Sequence, residues 1–242
     1  MSANDYPETP ADHTDLIAFG ARHSVVVNDL QESFSEWLGA DAQMNWSVDL
    51  LTGKLTLGTR QLSMQLWGSH AYESDTWLWA WANESYTGAE FDQVTGAAKW
   101  LRDASPDHER AWELTTGKFS MGKEMAEGGV AGWPLQFACF AWLRPKAVYS
   151  GDYGSGRFFC SIHDEKVPDF APDAVRFPRL LTNAISTVPM VPHLDLVTTY
   201  ARWFGLELTN QAQTWTLRFP EMVYEITFDE YQRVTGLQGH SA

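Results

Sequence analysis

The sequence predicts an α+β fold in which antiparallel β-meanders are packed on one face by helices. Apolar residues recur at helical spacing over residues 14–38 and then alternate at strand spacing over residues 44–83. A helix followed by a run of short strands returns over residues 194–237. Helices and strands that are segregated along the chain in this way are typical of the α+β class.

The octet at residues 76–83 is the most informative stretch of the chain. Trp77, Trp79 and Trp81 stand at alternate positions, so in an extended chain their indoles share one face. The residues that follow each of them, Leu78, Ala80 and Ala82, are also apolar. A helix would instead spread the three indoles over about 200° and leave no polar face. Because a strand that is apolar on both faces belongs inside a sheet, we predict a mid-sheet strand over residues 77–83.

The other elements follow from the same two periodicities. Gly39 is expected to end the first helix in a left-handed conformation. Residues 1–13 are predicted to be a disordered lead-in, 107–115 a short helix or strand, and 117–132 a mobile loop. Further helices are predicted at 91–104, 179–186 and 194–204. Further strands are predicted at 44–51, 54–58, 61–69, 133–143, 147–152, 157–162, 206–208, 214–219, 222–228 and 233–237.

Three prolines, Pro168, Pro172 and Pro178, interrupt the chain after the last strand of its first part. We therefore predict an α+β core domain over residues 14–165. Residues 166–242 are predicted to form a C-terminal helix-plus-meander extension, which is either a separate unit or part of the same domain.

The charge of the chain is strongly acidic and uneven. The net charge is -14. Residues 1–121 hold 18 acidic and 7 basic residues, a charge of -11, and residues 122–242 hold 13 and 10, a charge of -3. Such a surface repels phosphate backbones and argues against nucleic-acid binding. It favours solubility or a basic protein partner.

The first residues lack the basic and apolar regions of a secretory signal. The longest apolar run, Trp133–Leu143, is far shorter than the ~20 residues that a membrane span needs. Cys139 and Cys160 stand alone in apolar stretches without CxxC spacing, so we expect buried free thiols in a reducing cytosol. A disulfide between neighbouring strands is the alternative. These features together predict a cytoplasmic protein without membrane contact.

Several polar and aromatic residues are candidates for a site. Trp77, Trp79 and Trp81 could form a platform for a sugar, a planar ligand or a quaternary amine, although core packing is the better explanation. Asn83 ends the predicted strand as a turn former or a site residue. His70 and Asp75, with Glu73 between them, could serve acid–base chemistry, as could the cluster His163-Asp164-Glu165. No HExxH, HxH, GxSxG, GxGxxG or Walker spacing accompanies them, so no metal, cofactor or catalytic motif is predicted.

The run Leu66-Trp67-Gly68-Ser69 followed by the octet at 76–83 resembles the signature of an uncharacterised bacterial family, a domain of unknown function. The segment 111–115 and the predicted strands over 133–162 are compatible with that family. The likeness covers residues 14–165, and Trp67 replaces the smaller or aliphatic residue expected there. Because no activity is established for the family, the resemblance implies a fold unit and no reaction.

Three functions remain open on the sequence. The first is a non-catalytic binding or protein-interaction domain with a basic protein partner. The second is a small-ligand pocket lined by the aromatic face of the sheet. The third is an enzyme of unrecognised type that uses His70, Asp75 or Glu84. The oligomeric state is not predicted.

Overall fold

The structure is a computed structural model that describes residues 16–43, 45–105, 111–121, 133–188 and 191–242. It confirms the predicted α+β fold with antiparallel meanders. The described residues group into two compact units, which are unit 1 (16–20 and 33–169) and unit 2 (21–32 and 170–242). The predicted domain division at residue 165 remains a prediction, and the predicted lead-in over 1–13 lies outside the described residues.

The predicted first helix is two helices. The first, α1 (Leu16–Arg22), is followed at His23 by a turn, and α2 (Ser24–Leu38) runs to the predicted end. Gly39 follows α2 with a φ of 58°, as predicted, because glycine takes the left-handed conformation without steric cost. Three further helices, α3 (Gly96–Ala104), α4 (Trp112–Thr115) and α5 (Trp133–Leu143), lie in unit 1.

Unit 1 is built on a sheet of seven strands in the described residues. The strands β1 to β5 pair in chain order, and β7 pairs with both β3 and β6. The twelve-residue β3 therefore pairs with β2, β4 and β7, and α3 packs against it with Ala97, Ala98 and Leu101 buried. The strands are β1 (Trp46–Asp49), β2 (Lys54–Leu57), β3 (Arg60–Ala71), β4 (Thr76–Trp79), β5 (Lys118–Ser120), β6 (Ala147–Asp152) and β7 (Gly156–Ile162).

The tryptophan octet is a strand only in its first half. As predicted, β4 lies inside the sheet, between β3 and β5. The predicted continuation to Asn83 is wrong, because Ala80–Ala82 form a 3₁₀ turn. The ladder between β4 and β5 ends at the pair Leu78 and Lys118, so β5 does not pair with the chain beyond Trp79. Alanine also prefers helical to extended backbone.

The predicted strand over 133–143 is wrong, since this segment is the helix α5. Its described side chains are buried on almost every side, and a helix that is apolar all round is a core helix. An apolar run that is interrupted only at Gln136 shows neither the helical nor the strand period. Periodicity therefore does not distinguish a buried helix from a buried strand.

Unit 2 contains the predicted terminal meander, packed on one face by helices. Its helices are α6 (Phe177–Thr187) and α7 (His193–Phe204). Its four-stranded sheet has the order β11-β10-β9-β8, with β8 (Glu207–Gln211), β9 (Thr214–Arg218), β10 (Met222–Phe228) and β11 (Val234–Ser241). The aromatic rings of Phe177, Tyr200, Phe219 and Tyr224 form its core, with centroids 4.9–6.1 Å apart.

A buried polar cluster lies beside this aromatic core. The Asp29 carboxylate, only 1% exposed, accepts hydrogen bonds from the Tyr200 hydroxyl at 2.6 Å and from the Asp173 backbone N–H at 3.2 Å. The Arg176 guanidinium lies 3.6 Å from Asp29 and 2.9 Å from the Asp173 carboxylate. Burial is the largest influence on Asp29 and raises the pKa of its carboxyl, against the opposing effect of these partners.

Candidate functional site

A pocket of about 310 Å³ opens in unit 1 on the face of the sheet opposite the indoles of Trp77 and Trp79. Ser69 in β3 lies directly across from Leu78 in β4 and from Phe158 in β7, and all three line the pocket. Directly paired residues share a face, and neighbours in a strand face opposite sides. The complete lining is Val48, Leu50, Leu66, Gly68, Ser69, Leu78, Ala80, Asn83, Tyr86, Tyr153 and Phe158.

A β-bulge in β3 shapes the floor of this pocket. Leu66 pairs with Cys160 and Gly68 pairs with Phe159, so Trp67 is an extra residue in β3. The extra residue reverses the alternation of side chains, and for this reason Leu66 and Ser69, three positions apart, both line the pocket. The Trp67 indole is buried and donates a hydrogen bond to the Ser161 hydroxyl at 3.0 Å.

Gly68 is required by the close approach of β4. A Cβ at this position would lie 2.4 Å from the Leu78 carbonyl oxygen and 2.9 Å from the Trp77 ring. The missing side chain lets the Trp77 indole pack against the backbone of β3. The pair Gly68-Ser69 therefore makes room for an indole on one face of the sheet and contributes a hydroxyl to the pocket on the other.

The β1–β2 hairpin covers one side of the pocket. Val48 and Leu50 from this hairpin line the pocket, and Trp46 at its base packs edge-on against Phe158 with ring centroids 4.9 Å apart. Tyr149 adds a third ring to this contact. These aromatic contacts fix the hairpin over the sheet, so the wall of the pocket is formed by ordered core packing.

The polar groups of the pocket come from two turns and one strand. Asn83 caps a 3₁₀ turn over Glu84–Tyr86, because its side-chain oxygen accepts a hydrogen bond from the Ser85 N–H at 3.0 Å. This turn brings Tyr86 to the pocket, where Tyr153 from the β6–β7 turn joins it. Burial, and next the nearby Tyr153, raise the pKa of Tyr86, so its hydroxyl stays protonated at neutral pH.

The indoles that were predicted to form a platform are not part of the pocket. Trp77 and Trp79 are buried in the core, where the Trp77 ring is tilted against Phe159, and Trp81 lies beneath the Arg102 guanidinium. None of the three indoles lines the pocket, whereas Asn83, also predicted as a site residue, does. Sequence reasoning did not single out Ser69, Tyr86 or Tyr153. No sequence signal distinguished Ser69, because β3 holds five other polar or charged residues, which are Arg60, Gln61, Ser63, Gln65 and His70.

His70 and Asp75 do come together, as their position in one loop suggested. The His70 Nε2 and Asp75 Oδ1 atoms are 2.8 Å apart, and Asp75 has the left-handed φ of 46°, which is uncommon for a residue with a side chain. His70 is only 4% exposed, Glu73 points to solvent, and neither His70 nor Asp75 lines the pocket. Their use in acid–base chemistry remains a prediction.

The second cluster, His163-Asp164-Glu165, is part of the scaffold. The Asp164 carboxylate accepts hydrogen bonds from the backbone N–H groups of Ser63 at 2.8 Å and Lys166 at 3.0 Å. His163 Nε2 lies 2.8 Å from the Ser161 hydroxyl, which also accepts from Trp67. Within the described residues, no three His, Cys, Asp or Glu side chains come together in a group that could hold a metal ion.

Acidification is expected to act on stability through His163. Burial lowers the pKa of His163 to about 4, whereas the unfolded chain has a pKa of about 6.5. Between these values the unfolded state binds more protons, so the free energy of unfolding falls as the pH drops from 6.5 to 4. In His163→Gln, the fall in the free energy of unfolding between pH 6.5 and pH 4 should be smaller by about 2–3 kcal/mol.

Urea denaturation of wild type and His163→Gln between pH 7 and pH 4 measures the difference. His240→Gln, at an exposed position in β11, is the matched control. An identical pH profile for His163→Gln and wild type would contradict the assignment.

The two cysteines are buried and free, as expected. Burial raises the pKa of both thiols, so neither is a reactive thiolate at neutral pH. Neither lines the pocket. They therefore contribute to packing.

Comparison with known proteins gives one match. The model of a family of unknown function, DUF6882, matches residues 17–165, which are more than half of the chain. Searches of curated proteins and of solved structures found no significant match. Among the helices of the described ranges, none is both long and apolar enough to cross a bilayer. The pocket, its bulge and its capping turn all lie inside the matched residues, and the chain belongs to the family of unknown function DUF6882.

Proposed function

We propose that this protein is a non-catalytic binding domain that takes a small ligand into the pocket of unit 1. The observation that supports this proposal is the combination of an apolar floor and wall with four polar side chains, Ser69, Asn83, Tyr86 and Tyr153. Ligand sites are typically apolar concavities in which a few polar groups fix the orientation of the ligand.

The composition of the lining favours binding over catalysis. Among the described residues that line the pocket there is no His, Cys, Asp, Glu, Lys or Arg. General acid–base and nucleophilic catalysis depend largely on these residue types near the substrate. The His70–Asp75 pair, the best acid–base candidate of unit 1, does not line the pocket.

The volume sets the size of the ligand. A cavity of about 310 Å³ is near the lower end of the range for ligand sites, and corresponds to about ten water molecules. A ring system of one to three rings matches this space better than a long lipid or a dinucleotide.

A fluorescent probe can test the proposal without knowledge of the natural ligand. N-phenyl-1-naphthylamine is uncharged and becomes fluorescent in apolar sites. We expect saturable binding with one site per chain, and at least tenfold weaker binding to Leu78→Trp, because the larger ring fills the pocket from β4. Leu51→Trp is the matched control, since Leu51 is 65% exposed and does not line the pocket.

Two results would contradict the proposal. One is the absence of saturable probe binding to the folded wild-type protein. The other is equal probe affinity for wild type and for a folded Leu78→Trp variant, since the probe would then bind elsewhere. Circular dichroism of each variant shows that it is folded.

The charge of -11 over residues 1–121 supports a basic protein partner only in a general way, because net charge carries no information on a specific surface. Such a partner remains part of the proposal as a second role. A reducing compartment such as the cytosol is likewise proposed, supported by the two free buried thiols.

A further inference from the structure

We infer that the ligand of this pocket is an uncharged, largely apolar molecule with a hydrogen-bond acceptor such as an amide or ketone oxygen. This inference rests on the proposed function, because it names the chemical class of the ligand that the same pocket takes. Two independent features carry it, which are the absence of formal charge in the described lining and the presence of unused hydrogen-bond donors.

The lining cannot compensate a charged ligand. None of the described lining residues carries a formal charge, so a carboxylate or phosphate would lose its water without gaining a counter-ion. A cation would find no carboxylate among the described lining residues to act as its counter-ion.

The polar groups that line the pocket are available to a ligand. Within the described residues, the hydroxyls of Ser69, Tyr86 and Tyr153 make no hydrogen bond to protein. Asn83 uses its side-chain oxygen to cap the turn, which leaves its amide N–H groups as donors. A pocket left with unused donors favours a ligand that brings an acceptor, because unpaired donors are costly once water is excluded.

The two phenols are the strongest donors of this set. A phenolic O–H donates more readily than an aliphatic hydroxyl, and the raised pKa of Tyr86 keeps its proton in place at neutral pH. Tyr86 and Tyr153 come from separate turns, and both line the pocket. An oxygen acceptor can take two such donors at once.

Matched naphthalene derivatives test the inference. Displacement of N-phenyl-1-naphthylamine is measured with 2-naphthamide, 2-naphthoate, 2-naphthyl-trimethylammonium and naphthalene. We expect 2-naphthamide to bind at least tenfold more tightly than the anion or the cation. In the double variant Tyr86→Phe/Tyr153→Phe, the affinity for 2-naphthamide should fall about tenfold, while that for naphthalene stays within twofold. Tyr231→Phe is the control, since Tyr231 is 67% exposed and lies in unit 2.

The outcomes separate this inference from the proposed function. Equal or tighter binding of 2-naphthoate or of the ammonium compound would overturn the inference and leave ligand binding in place. Unchanged affinity of the double variant for 2-naphthamide would overturn the role of the phenols as donors. Failure of every compound to displace the probe, or failure of the probe itself to bind, would overturn the proposed function.

Discussion

Replacing Trp79 with alanine is expected to lower the free energy of unfolding by about 4–6 kcal/mol. The Trp79 side chain is completely buried, and its indole N–H donates a hydrogen bond of 2.7 Å to the Glu113 carbonyl oxygen. Truncation would leave a cavity of indole size in the core of unit 1 and would remove the hydrogen bond to the Glu113 carbonyl oxygen. Urea denaturation followed by circular dichroism measures the loss.

Two further variants separate the two contributions at Trp79. Trp79→Phe keeps an aromatic ring and removes the N–H donor, so it should cost about 1–3 kcal/mol. Trp112→Ala removes an indole that is 55% exposed and should cost much less than Trp79→Ala. If Trp79→Ala and Trp112→Ala destabilise the protein equally, the central place of β4 in the core is contradicted.

Replacing Arg176 with leucine is expected to destabilise unit 2 by about 3 kcal/mol at neutral pH. The guanidinium is only 10% exposed and lies among the carboxylates of Asp29, Asp173 and Glu32, at 3.6, 2.9 and 3.7 Å. Its removal would leave a buried carboxylate without its nearest cation. The matched control is Arg179→Leu, which removes an Arg that is 53% exposed and should cost much less than Arg176→Leu, because exposed ion pairs contribute little.

The deficit of Arg176→Leu should shrink as the pH falls. The pKa of Asp29 is already raised by burial, and loss of the guanidinium raises it further. A carboxyl with a raised native pKa binds more protons in the folded state, so its contribution to stability is lost as the pH rises from about 4. Urea titrations of wild type and variant at pH 7 and pH 4.5 give the difference. A deficit that is independent of pH would contradict the role of Asp29.

The central octet shows how far sequence reasoning reaches. Alternation placed Trp77 and Trp79 on one face of a strand inside the sheet, and the structure confirms both points. The same alternation does not predict where the partner strand β5 ends. Because β5 ends opposite Leu78, the chain turns at Ala80 and Trp81 leaves the sheet.

The pocket itself was not predictable, for two physical reasons. Its polar rim brings together Asn83, Tyr86 and Tyr153, and Tyr153 is about seventy residues from the other two and lies in a turn. Its floor depends on the bulge at Trp67, which reverses the alternation on which strand predictions rely. The indoles therefore led to the prediction of the correct strand. They lie on the face of the sheet opposite the pocket.

The grouping of residues 21–32 with residues 170–242 has a consequence for how the protein is synthesised. Asp29 is synthesised early, but the two groups that donate hydrogen bonds to its carboxylate come later. The Asp173 N–H and the Tyr200 hydroxyl follow it in the chain by 144 and 171 residues. At ordinary elongation rates that interval is roughly ten to thirty seconds, during which this carboxylate has none of these partners. Unit 2 therefore completes its folding only when translation is nearly finished. A fragment of residues 1–165 would contain Asp29, so a separate fragment of residues 166–242 would lack the carboxylate that unit 2 needs.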